Sequence, residues 1–214
     1  MPLRLASIKT LQESYKASVL KAVKSPKHPH KAALLDRVSL WQGDITTLEI
    51  DSIVNAANNR LGVNGAIQSA AGRNLLKECL TLGGCETGFA KITKGYDLPA
   101  KHIIHAVGPV YSSRNVETKA TQLRSCYKTS LEIAVQNDLK HIAFPSLSTG
   151  IFGYPIEDAT HIALDTTRLF LDTPDGDKLD RVIFVVWSDK DRDVYRDLIP
   201  YYFPQEEEPT PTET

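Results

Sequence analysis

At 214 residues with 42% hydrophobic side chains, the chain suits one compact domain with terminal extensions, and two domains would be cramped. Its 25 Lys and Arg stand against 26 Asp and Glu, so it lacks the basic excess of a protein built around a nucleic-acid backbone. No apolar run approaches the roughly 20 residues that span a bilayer, and neither nucleic acid nor membrane is expected as a partner.

The N-terminal segment carries Arg4, Lys9, Lys16, Lys21, Lys24 and Lys27 against one acid, Glu13, and has no apolar signal core. The spacing of Leu11, Tyr15, Val19 and Leu20 predicts an amphipathic helix over residues 9–23 lying on the domain. An organelle transit segment is the competing reading. Residues 1–32 are therefore read as a helical extension and 33–203 as the domain. Residues 204–214, acidic and rich in Pro and Thr without apolar side chains, are read as a disordered tail.

Within the domain, strand and helix patterns alternate. Short β-rich runs fall at 37–41, 52–57, 91–93, 102–107, 141–145 and 181–187, and several are apolar throughout, as in strands covered on both faces. Helical periodicity falls at 65–80, 120–136, 157–171 and 191–199. The alternation predicts an α/β fold with a sheet sandwiched by helices, and ligands in such folds bind beyond the carboxyl ends of strands. Cys79, Cys85 and Cys126 form no disulfide or zinc pattern, and the six histidines form none with them. They read as buried thiols of an intracellular protein in the cytoplasm or nucleus, with the mitochondrion as the alternative that the basic N-terminus leaves open. No metal or cofactor is expected, and a monomer is.

Three strand-end segments carry unusual composition. In Gly43-Asp44-Ile45-Thr46 the carboxylate either accepts from an exocyclic amine such as that of adenine or caps a short turn. The Asn-rich stretch from Asn55 to Ile67 offers neutral amides suited to ribose hydroxyls, and a plain loop is the alternative. In Pro145-Ser-Leu-Ser-Thr-Gly-Ile-Phe-Gly-Tyr-Pro155, small residues and two glycines let backbone N–H groups converge on an anion, with a helix N-terminus beyond. It has neither the P-loop pattern nor the dinucleotide glycine fingerprint.

Together these segments resemble a macrodomain of the MacroD type. The resemblance runs from about Val38 to Pro204 and includes GDIT, VNAAN, AAGRNLLKEC, GCETG, KGYDLPAKHIIHAVGP and PSLSTGIFGYP. It implies a three-layer α/β/α sandwich around a central mixed, mostly parallel sheet. It also implies that the chain holds ADP-ribose, free or as the mono-ADP-ribosyl group of a modified protein. By the resemblance, Asp44 and the Ile45 backbone hold adenine, and Asn58 contacts the distal ribose. Ser148, Thr149, Gly150, Ile151, Phe152, Gly153 and Tyr154 belong to the diphosphate loop, with Phe152 closing over the ribose. Trp187 stands where the family often stacks an aromatic ring beside adenine, although a core residue at a strand end is the competing reading.

The sequence departs from the family's hydrolase pattern between Asn59 and Gln68. A run of four glycines is reduced to Gly62, the family's Asp becomes Asn64, and its His becomes Gln68. Asn58, Asn64 and Gln68 thus occupy the catalytic positions with no group able to take a proton at neutral pH. Three outcomes are open: a binding module with slow or no turnover, a hydrolase of Asp/Glu-linked mono-ADP-ribose or O-acetyl-ADP-ribose that uses the ligand's own phosphate as base, or a decayed domain kept for protein contacts or another nucleotide.

Overall fold

The computed structural model describes residues 1–61 and 65–206. Asn64, and residues 207–214 of the expected tail, lie outside the described residues. In chain order the elements are β1 (Leu3–Arg4), α1 (Leu11–Lys16), α2 (Ala32–Leu35), β2 (Val38–Gln42), β3 (Leu48–Glu49), β4 (Ser52–Ala56), α3 (Ala66–Ala71), α4 (Arg73–Thr81), β5 (Ala90–Lys94), β6 (His102–Ala106), α5 (Val116–Gln136), β7 (His141–Pro145), α6 (Ile156–Leu171), β8 (Arg181–Val186) and α7 (Asp189–Tyr202).

Six strands form one sheet in the order β2-β8-β7-β4-β6-β5. All neighbours are parallel except β5, which runs antiparallel to β6. The β-branched and aromatic runs that predicted these strands explain the pattern, because both faces are covered. Along β4, β6, β7 and β8, Val54, Ile104, Phe144 and Phe184 enter the core beneath α5, α6 and α7. Their neighbours Ile53, Ile103, Ala143 and Ile183 enter a second core beneath α3 and α4. Successive side chains of a strand point to opposite faces, so each strand feeds both cores, and the chain is the expected α/β/α sandwich. A two-residue parallel pair, β1 with β3, joins Leu3 to Leu48 and Arg4 to Glu49.

The structure corrects two helices. The expected helix over 65–80 is broken at Gly72, where φ is +80° and an added Cβ would lie 2.2 Å from the Asp97 carboxylate. Only glycine adopts that turn cheaply, so α3 and α4 meet at an angle the periodicity cannot report. The expected helix over 9–23 is confined to α1. Thr10 and Glu13 form a capping box at its start, and Ser18 enters the left-handed region at φ +56° soon after its end. Leu11, Tyr15 and Leu20 nonetheless join the core beneath the sheet, while Val19 is exposed.

Opposite the strand ends that carry the candidate loops, Asp51 ties three strands together. Its carboxylate accepts from Lys101 Nζ (2.7 Å) and the Lys140 N–H (2.9 Å), and pairs with His141 Nδ1 (2.9 Å). Burial alone pushes this carboxyl up, but Lys101, the Lys140 N–H and His141 together outweigh burial and hold it below the ordinary carboxylate range. A depressed carboxyl stabilises the fold fully above its unfolded value, 3.8, and loses that contribution as pH falls through the folded value. Asp51→Asn should therefore cost about 1–3 kcal/mol near neutrality and shrink the difference from wild type in strongly acid solution. Urea unfolding across that range checks this; a mutant penalty that does not depend on pH would contradict it.

Candidate functional site

Four neighbouring parallel strands, β2, β8, β7 and β4, point their carboxyl ends the same way. Beyond β2 and β8, the Gly43 N–H donates to the Val186 carbonyl (3.1 Å) and Gln42 Nε2 to the Trp187 carbonyl (3.2 Å). The loops carrying Asp44 and Trp187 are thereby held side by side. Asp44 Oδ1 accepts from the Thr46 N–H (2.9 Å) and hydroxyl (2.7 Å), capping the single 3-10 turn Ile45–Thr47. Among the described residues nothing donates to Oδ2, so capping leaves one carboxylate oxygen for a ligand amine. Trp187 is 77% exposed, a surface ring and not a core residue.

Beyond β7 and β4 lies a cleft of 330 Å3. Its walls are Asn55, Asn58 and Gln68 on one side and Ser148, Gly150 and Phe152 on the other, with Ile151 beside them. The β7 loop is folded by two internal bonds, Gly153 N–H to the Gly150 carbonyl and Tyr154 N–H to the Ser148 carbonyl, each 2.9 Å. The Tyr111 N–H donates to the Phe152 carbonyl (2.9 Å) and Thr149 Oγ1 to the Ser146 carbonyl (3.0 Å). Among the described residues, the N–H groups of Ser148, Gly150, Ile151 and Phe152 donate to no protein acceptor. Successive unpaired N–H groups in a turn form an anion-binding concavity. Ser148 holds φ +66°, unusual for a residue with a side chain, and its buried hydroxyl has no partner among the described residues. Gly108 makes room for it, since a Cβ there would lie 2.1 Å from Ser148 Oγ.

The helix beyond this loop contributes less than its N-terminus suggests. The first turn of α6 carries its own acids, Glu157 and Asp158, which already answer the positive end of the helix dipole. The loop N–H groups are what remain for an anion.

Three residues of the expected diphosphate loop, Thr149, Gly153 and Tyr154, do not line the cleft. Tyr154 is buried at 3% exposure and packs edge-on against Tyr111 with ring centroids 5.0 Å apart. Gly153, at φ +66°, turns the chain toward it. Asn64 lies outside the described residues. On the opposite wall, Asn58 Oδ1 accepts from the Arg60 N–H (3.1 Å), bracing the turn at its own position. Gln68 is buried at 6% exposure, and among the described residues neither amide atom makes a hydrogen bond of ordinary geometry. It acts on the Cys79 thiol, which burial and Glu78 push up and the Gln68 amide pulls the other way. The sequence offers Asn55 only as one amide of the Asn-rich stretch; its place near the end of β4, beside β7 and its loop, is what brings it to the cleft.

Comparison with known proteins agrees with this geometry. Residues 54–163 match the family model described as Macro domain. Rat ADP-ribose glycohydrolase MACROD1 is 49% identical over 186 residues, covering 85% of this chain and 72% of that protein. The mouse protein of the same name is 46% identical over 206 residues, covering 94% of this chain and 63% of its own length. Among solved structures, the GDAP2 macro domain superimposes with TM-score 0.87 at 35% identity, covering 96% of this chain and 98% of that one. The Trypanosoma brucei macrodomain in complex with ADP-ribose superimposes with TM-score 0.75 at 38% identity, covering 92% and 76% respectively.

Proposed function

Since the chain belongs to the macro domain family, we propose that its strand-end loops bind ADP-ribose, free or on a modified protein, and that they hold it without rapid turnover. The observation that carries the binding is the β7 loop, whose N–H groups at Ser148, Gly150, Ile151 and Phe152 are unpaired among the described residues and line or adjoin the cleft. A diphosphate placed there has adenine on the Asp44 and Trp187 side and a terminal ribose on the Asn55 and Asn58 side. The strand order β2-β8-β7-β4, which sets the Asp44, phosphate and Asn loops in a row, supports this direction. The Asp44 Oδ2 oxygen supports an adenine amine, and the exposed Trp187 ring supports stacking.

The absence of fast hydrolysis rests on the cleft's chemistry. Among the described residues its walls carry amides, hydroxyls, glycines and apolar groups, and no carboxylate or imidazole. Residues 62–64, outside the described set, are Gly, Val and Asn by sequence and add none. Losing a positioned general base lowers turnover by about 10²–10⁴-fold. One observation favours a second reading, an active hydrolase: the curated relatives are named ADP-ribose glycohydrolases. In that case the ligand's own phosphate takes the water's proton. We also propose an intracellular setting, in which the buried, free Cys79, Cys85 and Cys126 stay reduced.

Calorimetric titration tests the binding. ADP-ribose should bind one to one, and ADP, which lacks the terminal ribose, more weakly. No heat from either ligand at millimolar concentration would remove the proposal.

A further inference from the structure

Beneath the cleft floor lies a buried polar chain that the binding scheme does not use. Asn55 and His105 are register partners on β4 and β6. His105 is fully buried. Its Nδ1 lies 3.2 Å from Asn55 Nδ2, and its Nε2 lies 2.9 Å from Thr93 Oγ1 and 3.8 Å from Cys79 Sγ.

The donors and acceptors in this chain fix one another. The Thr93 hydroxyl has a single proton, and it is directed to the Lys94 carbonyl at 3.2 Å. With that bond kept, the hydroxyl accepts from His105, and the arrangement that satisfies both contacts carries the imidazole proton on Nε2. Nδ1 then presents a lone pair. Only the NH2 end of the Asn55 amide can meet it, because the reversed amide would set two acceptors together. Asn55 also lines the cleft, so its other amide atom, Oδ1, is the one left to the ligand.

We propose that His105 is a positioning residue: it holds the Asn55 amide so that Oδ1 accepts a hydroxyl of the ligand's terminal sugar. This deepens, and rests on, the reading that the cleft holds ADP-ribose. An acceptor at that point favours a hydroxyl and disfavours a phosphate or carbonyl oxygen. Burial pushes the imidazole down to about 4, with Glu78 acting in the opposite direction, so the ring stays neutral and Nδ1 stays bare at physiological pH. A protonated ring would turn Nδ1 into a donor and the Asn55 amide with it.

Two measurements test the assignment. Imidazole nitrogen chemical shifts of the ligand-free protein should show His105 neutral, with the proton on Nε2, from about pH 5.5 to 8. A proton on Nδ1, or titration within that range, overturns the proposal whether or not the protein binds ADP-ribose. In binding, His105→Leu should weaken ADP-ribose about tenfold and leave ADP unchanged, because ADP has no terminal sugar to reach Asn55. His105→Gln, which can offer an acceptor to Asn55 and a donor to Thr93, should restore most of the loss. Equal weakening of both ligands, or no recovery in a folded His105→Gln, would show a merely structural role. A wild-type protein that binds neither ligand defeats the binding proposal itself, and the nitrogen shifts still decide the role of His105.

Discussion

Gly150→Glu is expected to abolish ADP-ribose binding while leaving the fold intact. An added Cβ at Gly150 meets no atom within 4 Å, and the residue is exposed. It does not hold the positive φ that would strain a side chain. The Glu side chain therefore grows into the cleft without displacing the core, and its carboxylate stands among the N–H groups meant for a diphosphate. Like charges brought together at a binding site cost several kcal/mol, so affinity should fall by at least about 100-fold. Gly150→Ser, with equal room and no charge, should keep most of the affinity. The measurement is a pair of titrations alongside a thermal unfolding curve. A folded Gly150→Glu protein with unchanged affinity would mean the phosphates lie elsewhere.

The second large effect concerns stability, far from the cleft. Arg168, only 1% exposed, sits near the C-terminal end of α6. Its Nε donates to Asp172 (2.9 Å), Nη1 to the Tyr202 carbonyl (2.7 Å) and Nη2 to the Pro29 carbonyl (2.8 Å). One guanidinium thus fastens the N-terminal segment and α7 to α6, which its rigid fork of donors suits. Arg168→Ala strands the buried Tyr202 carbonyl, removes the part-buried bond to Pro29 and opens a large void, while Asp172 keeps Lys31 at 2.6 Å. Breaking such a buried arrangement from one side costs about 3–5 kcal/mol. Arg168→Lys should recover part of it, since an ammonium reaches fewer of the three acceptors. Urea unfolding gives the difference directly, and a loss below about 1 kcal/mol would show that the segment is held by its apolar contacts alone. Affinity for ADP-ribose in the folded fraction should be unchanged, because roughly 18 Å of helix separates Arg168 from the loop at the start of α6.

Much of this architecture was legible in the residues themselves. His141–Pro145 is a strand with the expected bounds, and the other five main strands lie within a residue or so of theirs, because continuous apolar β-branched runs have few alternatives between covering helices. The cleft was legible through its composition: Asn-rich after β4, small and hydroxylated after β7. What stayed hidden depends on partners distant in sequence. Gly72 looks like any glycine in a helical pattern until Asp97 is seen against it. Tyr154, inside the phosphate-loop motif, turns into the core because Tyr111 is there to pack against it. The Asn55 amide acquires its direction from Thr93 through His105, three residues on three strands that no local pattern links.

The departures at Asn64 and Gln68 matter most for what the cleft does after it binds. Asn64 with a restored glycine run and Asp in its place would supply the acceptor that the walls now lack, and turnover gained by that change alone would locate the deficit in this loop. The most direct measurement takes the natural sequence: release of ADP-ribose from a protein mono-ADP-ribosylated on Asp or Glu, followed over time. We expect the modified protein to be bound and ADP-ribose to leave no faster than it does spontaneously. Prompt release would contradict a cleft without a proton acceptor of its own and would point to the ligand's phosphate as the base.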